Sequence, residues 1–450
     1  MPVRAVSRPI PWSHRSVALR HAVTGRCHRA GASYRLLSDV DGRIAHACLA
    51  LPTYQSETVP RLVECIAGVL RALGPDVRCS ILHHAGDEHL LSDLAARYSL
   101  DLIPWSRPRT IQIGAGDYQI ENGVLRLGSL PWSDFTPWVQ DCFLVALRSG
   151  TPQLLATPRV SRPGGGADED VAGTVAQHLG WASEMLAVPF EAANVLVDQR
   201  HVVLGRAVGR ELPSRTAAAT LRRLFAPDPS GPSVLRMPPR SAQPRGHQDM
   251  YLALAGAHPA SGRPMALVGS RRLAARILGR PHAPDAADAG LERVARAMEA
   301  LGYDVTRLPC ATVRLSPTWK HSEITYTNAL VEVWPLPGPG GLARRVTIAR
   351  FGTDGGPEAA ALDAAATEIW RALGFAVRFA EGPFTWLGIF EGSVRCLTKV
   401  LALERVGFLA GRLLDLGLLR VGQLYGDALR GLLRHMWLPE RVWNQCAGRP

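Results

Sequence analysis

Gly392-Ser393-Val394-Arg395-Cys396-Leu397-Thr398-Lys399 sets a cysteine behind a Gly-Ser turn and ahead of a polar threonine, close to an apolar, strand-like run. Three polar clusters far upstream have the composition to meet it: Trp138-Val139-Gln140-Asp141, Phe190-Glu191-Ala192-Ala193-Asn194 and Gly246-His247-Gln248-Asp249. Read together, the four pieces make one active site, and the rest of the chain is read as the frame that holds them.

The frame is a recurring strand-helix-strand pattern. Ala45 to Leu51 reads as a buried strand. Val59 to Leu73 reads as an amphipathic helix, with Leu62, Ile66, Val69, Leu70 and Leu73 on one face. Strands at Val77–His83 and Leu100–Ile103 flank a short helix at Leu90–Tyr98. The theme returns in the pair Phe143–Leu147 and Leu154–Ala156 with a helix at Glu169–Leu179. It returns again in the hairpin Val195–Val197 and Val202–Leu204, followed by a helix at Thr216–Phe225 and a strand at Ser233–Leu235. Met250–Ala255 and Met265–Gly269 form the next hairpin, with the helix Gly290–Leu301 and the strand Val305–Leu308. Thr325–Trp334, Arg345–Phe351, the helix Pro357–Leu373 and the strand Ala376–Phe379 close the series just before Cys396. That is about five units of strand pair, helix and strand, alike in architecture and not in residues. Pro/Gly clusters such as Pro163–Gly166 and Pro335–Gly341 separate elements, and none is long enough for a domain linker.

The chain has 450 residues, 47% of them hydrophobic, enough for a sizeable core. Its net charge of +12 comes almost wholly from arginine, since lysine occurs only at Lys320 and Lys399. The basic residues are scattered rather than gathered in a stripe, which argues against nucleic acid as a partner. The eight cysteines include no pair with two-residue spacing, so no zinc clip or redox motif is expected. Cys65 and Cys142 lie in apolar runs and read as buried thiols. No uncharged apolar run reaches the roughly 18 residues of a membrane span. No signal-peptide core is visible, and a reducing cytoplasm fits. Residues 1–42 read as a partly disordered N-terminal extension, 43–400 as the catalytic domain and 401–450 as a Leu/Arg-rich helical extension that could dock a partner.

The residue types define a chemistry. A guanidinium is planar and carries N–H donors that a carboxylate grips with two parallel hydrogen bonds. Two carboxylates can hold its edges and leave the face of the central carbon open to a thiolate. A histidine then protonates the departing ammonia and activates water. Asp141 follows an aromatic and precedes an apolar strand, suiting a cation clamp. Glu191 and Asn194 open another strand. His247 and Asp249, two apart in a strand, would share a face. A thiol with an ordinary pKa of about 8.5 needs a nearby cation to ionise at neutral pH, and a bound guanidinium could provide it. Taken singly, each of these residues also has a structural explanation: a cap, a strand end, a core histidine, a buried thiol.

As a set, over about residues 43–400, they resemble the guanidino-group-modifying superfamily of deiminases and amidinotransferases. Tyr326-Thr327-Asn328-Ala329-Leu330 is similar to a segment of its agmatine-deiminase-like members. The resemblance implies an α/β fold, a pseudo-fivefold α/β-propeller (pentein) of ββαβ units with the site in its central channel. It implies Cys396 as nucleophile, His247 as acid and base, Asp141 and Asp249 as guanidinium ligands and Glu191 as their assistant. Trp138, Gln140, Asn194 and Arg159 are candidate substrate contacts. Gln140 before the aspartate and the Gly246–Leu252 strand look most like the protein-arginine deiminases. Thr157-Pro158-Arg159 and Arg162 are similar to their backbone-contacting arginines, at a different spacing. Ala192-Ala193 departs from the usual Gly-Gly of small-substrate members, and Arg395 stands where many members have histidine.

The expectation is therefore a cysteine hydrolase that deiminates arginine, first of all in a peptide or protein, to citrulline and ammonia through a covalent amidino-thioether. The alternatives are deimination of a small free guanidine such as arginine or agmatine, amidine transfer to an amine, and a non-catalytic arginine-binding protein. No cofactor, metal, calcium, nucleic acid or membrane partner is expected, and a homo-oligomer is allowed.

Overall fold

A computed structural model describes residues 34–52, 58–105, 119–121, 124–126, 135–148, 150–156, 168–186, 190–205, 233–236, 247–314, 321–336 and 341–404. The expected helix at Thr216–Phe225, Gly246, Arg159, Arg162 and the extensions before 34 and after 404 lie outside these residues.

Strands among the described residues form five sheets of three or four strands and a separate two-stranded ribbon, Gln119–Glu121 with Val124–Arg126. Each sheet has a core of the same kind, an antiparallel pair continued by a parallel strand. The first core is Lys399–Glu404, Arg43–Leu51 and Arg78–His84, extended by Asp101–Trp105. The second is Phe143–Arg148, Thr151–Ala156 and Ala182–Met185. The third is Val195–Val197, His201–Leu204 and Ser233–Arg236. The fourth is Leu252–Ala257, Pro264–Ser270 and Asp304–Arg314, with His321–Thr325 added at its edge. The fifth is Leu330–Pro335, Leu342–Ala349 and Ala376–Ala380. A parallel neighbour needs a crossover, which explains why a helix precedes each parallel strand wherever that connection is described. These helices are Val59–Leu73, Ser92–Tyr98, Asp168–Leu179, Ala286–Ala300 and Gly352–Ala372. The architecture is mixed α/β, as the alternating pattern predicts.

Long-range contacts stitch first and last units together. Helix Val59–Leu73 buries Leu62, Ile66, Val69, Leu70 and Leu73, and brings Gly68 against the backbone of Glu381. A Cβ at Gly68 would stand 1.8 Å from the Glu381 carbonyl oxygen, so only glycine permits that approach. Buried Glu332 in the fifth sheet pairs with Arg345 and accepts the Ile44 N–H of the first sheet at 2.8 Å.

The segment from Tyr34 to Gly42 is part of this body, ahead of the expected boundary at residue 43. Arg35–Leu36 pairs with the second sheet at Leu147 and Ala146. Asp39 N donates to Val197 O of the third sheet at 2.8 Å, and Val40 O accepts from Val333 N of the fifth at 2.9 Å. The chain then enters the first sheet at Arg43. Four sheets thus meet one short strap, and Asp39 is carried to the place where they converge. Among the described residues no helix is long and apolar enough to cross a membrane.

Candidate active site

Cys396 lies in a turn between the helix Phe384–Gly388 and the strand Lys399–Glu404, not in a strand. Two backbone hydrogen bonds tighten it, Leu397 N to Ser393 O at 3.1 Å and Thr398 N to Arg395 O at 3.0 Å. Gly392 opens the turn under the indole of Trp138, where a Cβ would come within 2.2 Å of the ring. Trp138, proposed above as a substrate contact, is buried and packs on this glycine.

Asp141 sits in a one-turn helix, Val139–Cys142, that leads straight into the strand at Phe143. Gln140 N donates to Cys396 O at 3.3 Å, so the turn that presents Asp141 is fastened to the nucleophile's turn. Glu191 precedes the short 3-10 turn Ala192–Asn194, and His247 precedes a second, Gln248–Met250. Both were expected to lie in strands. The strands begin later, at Val195 and Leu252, because the polar side chains hold the backbone in turns first. Asn194 Oδ1 accepts from Gln248 N at 3.1 Å, and its Nδ2 lies 3.4 Å from Glu191 Oε2. Asn194 therefore ties the two turns together.

The five side chains expected to carry chemistry converge. His247 Nε2 is 2.8 Å from Glu191 Oε2, and Nδ1 is 3.3 Å from Asp141 Oδ1. A ring with a carboxylate at each nitrogen is suited to donate from both, as the imidazolium. Burial pulls the His247 pKa down, but the charge on Asp141 and hydrogen bonds to Cys396 and Glu191 outweigh it and hold it well above the ordinary value. Cys396 Sγ lies 4.0 Å from Asp249 Oδ2. Burial and then the Asp249 charge push the thiol up to about 11, while the His247 hydrogen bond pulls it back.

Four residues to which no such role was given complete the cluster. Asn328 Nδ2 donates to Cys396 Sγ at 3.1 Å, and its Oδ1 accepts from Arg395 N at 2.9 Å and Cys396 N at 3.2 Å. Asn328 follows Thr325 and Thr327, whose hydroxyls reach Met250 O at 2.7 Å and Asp249 O at 3.3 Å. The polar break Thr325–Asn328 inside an apolar run was the signal for this anchor. Arg395 sets its guanidinium between two carboxylates, with Nη1 2.7 Å from Asp249 Oδ2 and Nη2 2.7 Å from Asp39 Oδ1. With the Gln140 amide oxygen facing it, that oxygen accepts from Nη2 at 2.9 Å and Nη1 at 3.3 Å. Burial disfavours the Arg395 charge, but Asp39 and Asp249 restore it and raise its pKa. Lys399 is buried in the same region, where Asp39, Gln140, Arg395 and Thr398 help line a cavity of about 30 Å³, room for about one water.

No family model and no curated protein matches the chain. Among solved structures it is similar to the agmatine deiminase of C. jejuni, with a TM-score of 0.55 and 11% identity over 84% of this chain and 100% of that one. It is similar also to a cysteine-to-serine variant of C. jejuni agmatine deiminase with substrate bound, with a TM-score of 0.56, 9% identity and the same coverage. At such identity the likeness is one of architecture: this chain shares the fold of the agmatine deiminases.

Proposed function

We propose that the chain is a cysteine hydrolase acting on the C–N bond of a small guanidine, giving a ureido product and ammonia. The observation that carries this reading is the convergence of Cys396, His247, Asp141, Asp249 and Glu191 from four distant segments. The sequence placed arginine within a peptide or protein first. The fold likeness to agmatine deiminases moves the preference to a free guanidine such as agmatine or arginine.

In this reading Asp249 and Asp141 hold the guanidinium edges. Its charge, added to that of His247, favours the Cys396 thiolate. Sulfur bonds to the central carbon, and His247 gives its proton to the departing nitrogen, which leaves as ammonia. The neutral imidazole then takes a proton from water. The hydroxide adds to the amidino-thioether carbon, the C–S bond breaks to return the thiolate, and the hydroxyl proton passes to solvent, where the ammonia takes it up, leaving the neutral ureido product. Glu191 and Asp141 keep His247 oriented and cationic in the resting state. The same reading takes the five sheets as blades of a closed pseudo-fivefold propeller with the site on its axis. The repeated sheet cores and the strap at Tyr34–Gly42 support it.

Ammonia release from agmatine, free arginine and a blocked arginine peptide, with Cys396→Ala as control, tests the function. Release from a small guanidine, lost in the variant, is the expected result. Citrulline formed only in the peptide would return the peptide reading to first place. Release by Cys396→Ala at the wild-type rate would rule out the assigned nucleophile.

A further inference from the structure

Arg395 brings a guanidinium of this chain's own to the carboxylate that the proposed function assigns to substrate. Its fork meets Asp249 Oδ2, Asp39 Oδ1 and the Gln140 amide oxygen. That is the edge-on recognition by planar acceptors which an arginine-like ligand would need. The other oxygen of Asp249, Oδ1, is fully buried and has no hydrogen-bond partner among the described residues. A buried carboxylate oxygen without a donor is costly, and in a native site it calls for one. The cysteine that follows Arg395 in the chain places its sulfur 4.0 Å from this same carboxylate.

We propose that Arg395 is a specificity-determining residue: it occupies half of the Asp249 clamp and leaves the substrate a single carboxylate oxygen, Oδ1, to bind. The inference rests on the deiminase reading above and narrows its substrate class. A two-oxygen grip requires both N–H groups along one edge of the guanidinium. A one-oxygen grip requires one. A guanidine with an alkyl group in place of the second N–H therefore loses no bond at Asp249, and the site accepts N-substituted guanidines alongside unsubstituted ones. Freeing Oδ2 by removing Arg395 restores the two-bond grip and favours the unsubstituted head group.

The test reads binding without turnover. Calorimetry on Cys396→Ala compares agmatine with Nω-methylagmatine, then repeats the pair on Cys396→Ala/Arg395→Gln and Cys396→Ala/Arg395→His. The parent should bind the two within about threefold. The Arg395 variants should prefer agmatine by about tenfold, the worth of one charge-assisted hydrogen bond. Asp39→Asn in the same background leaves Arg395 on Asp249 and should keep the parent's ratio. An unchanged ratio in whichever Arg395 variant melts cooperatively overturns the proposal. So does an Asp39→Asn shift as large as that of Arg395→Gln, since the effect would then be cluster charge. Ammonia release by the wild type bears on the deiminase reading alone, whereas the binding ratio bears on Arg395, so the two can fail separately.

Discussion

Asn328 holds Cys396 by both sulfur and backbone: Nδ2 stands 3.1 Å from Sγ while Oδ1 accepts the Cys396 N–H at 3.2 Å. One amide thus sets the turn and offers a donor to the thiolate. Replacing it with alanine removes a hydrogen bond worth about 1.5–3 kcal/mol to a charged acceptor. Asn328→Ala should slow iodoacetamide alkylation of Cys396 about tenfold at pH 8. Asn328→Asp should slow it further, because a negative charge beside the sulfur raises the thiol pKa again. Alkylation rates against pH for the three proteins check this, and identical curves would remove Asn328 from the site.

Glu191 and Asp141 act on His247 in the same direction, and both keep the ring protonated through neutral pH. Glu191→Gln removes one raising contribution, so the His247 pKa falls. The proposed mechanism needs His247 cationic to protonate the leaving nitrogen. The alkaline limb of kcat should therefore move to lower pH in Glu191→Gln, with kcat at pH 8 reduced at least about tenfold. A limb that stays in place or moves upward would contradict the assigned role.

Gly392 is a packing requirement at the nucleophile's turn. Its missing Cβ is the space filled by the Trp138 ring, buried on the other side. Gly392→Ala must push the indole or the turn away, an overpacking cost of about 1–3 kcal/mol. The variant should melt lower and lose activity. Gly392→Ala/Trp138→Phe, with a smaller ring, should recover part of the melting temperature. No recovery would mean that the clash does not set the cost.

Regular elements were legible because their periods are strong. Helix Val59–Leu73 matches its predicted bounds residue for residue, and the hairpin of Val195–Val197 with His201–Leu204 pairs Val197 with Val202 around the predicted turn. The separate polar clusters were legible as chemistry, by residue type. Local geometry at His247 was not. The His-x-Asp spacing suits a strand, but Asn194, 54 positions away, holds Gln248 N and the backbone takes a 3-10 turn. Asp39 was hidden for another reason. Its strap shows neither helical nor strand periodicity in the sequence, and it is fixed by bonds to partners far along the chain, among them Val145, Val197, Val333 and Arg395. Arg395 was visible as a departure, and its consequence depended on where the guanidinium points.

Lys399 gives a stability prediction. Burial, and after it the Arg395 charge, lowers its pKa from 10.5 to about 7, although Asp39, Cys142 and Asp141 act the other way. Between those two values the unfolded chain holds a proton on this amine that the folded protein lacks. Stability from this group is therefore fully present above about 10.5 and is lost as pH falls towards 7. Across the window the change is on the order of 5 kcal/mol, at about 1.4 kcal/mol per unit. Below pH 7 both states are protonated, and the folded protein bears the full cost of a buried ammonium. Lys399→Met removes the titration. The variant should be more stable than wild type at pH 6, and its advantage should shrink steadily up to pH 10. Urea unfolding of both proteins across that range reads the difference directly. Parallel stability curves would show that Lys399 stays charged in the fold, held by Asp39 against the pull of burial.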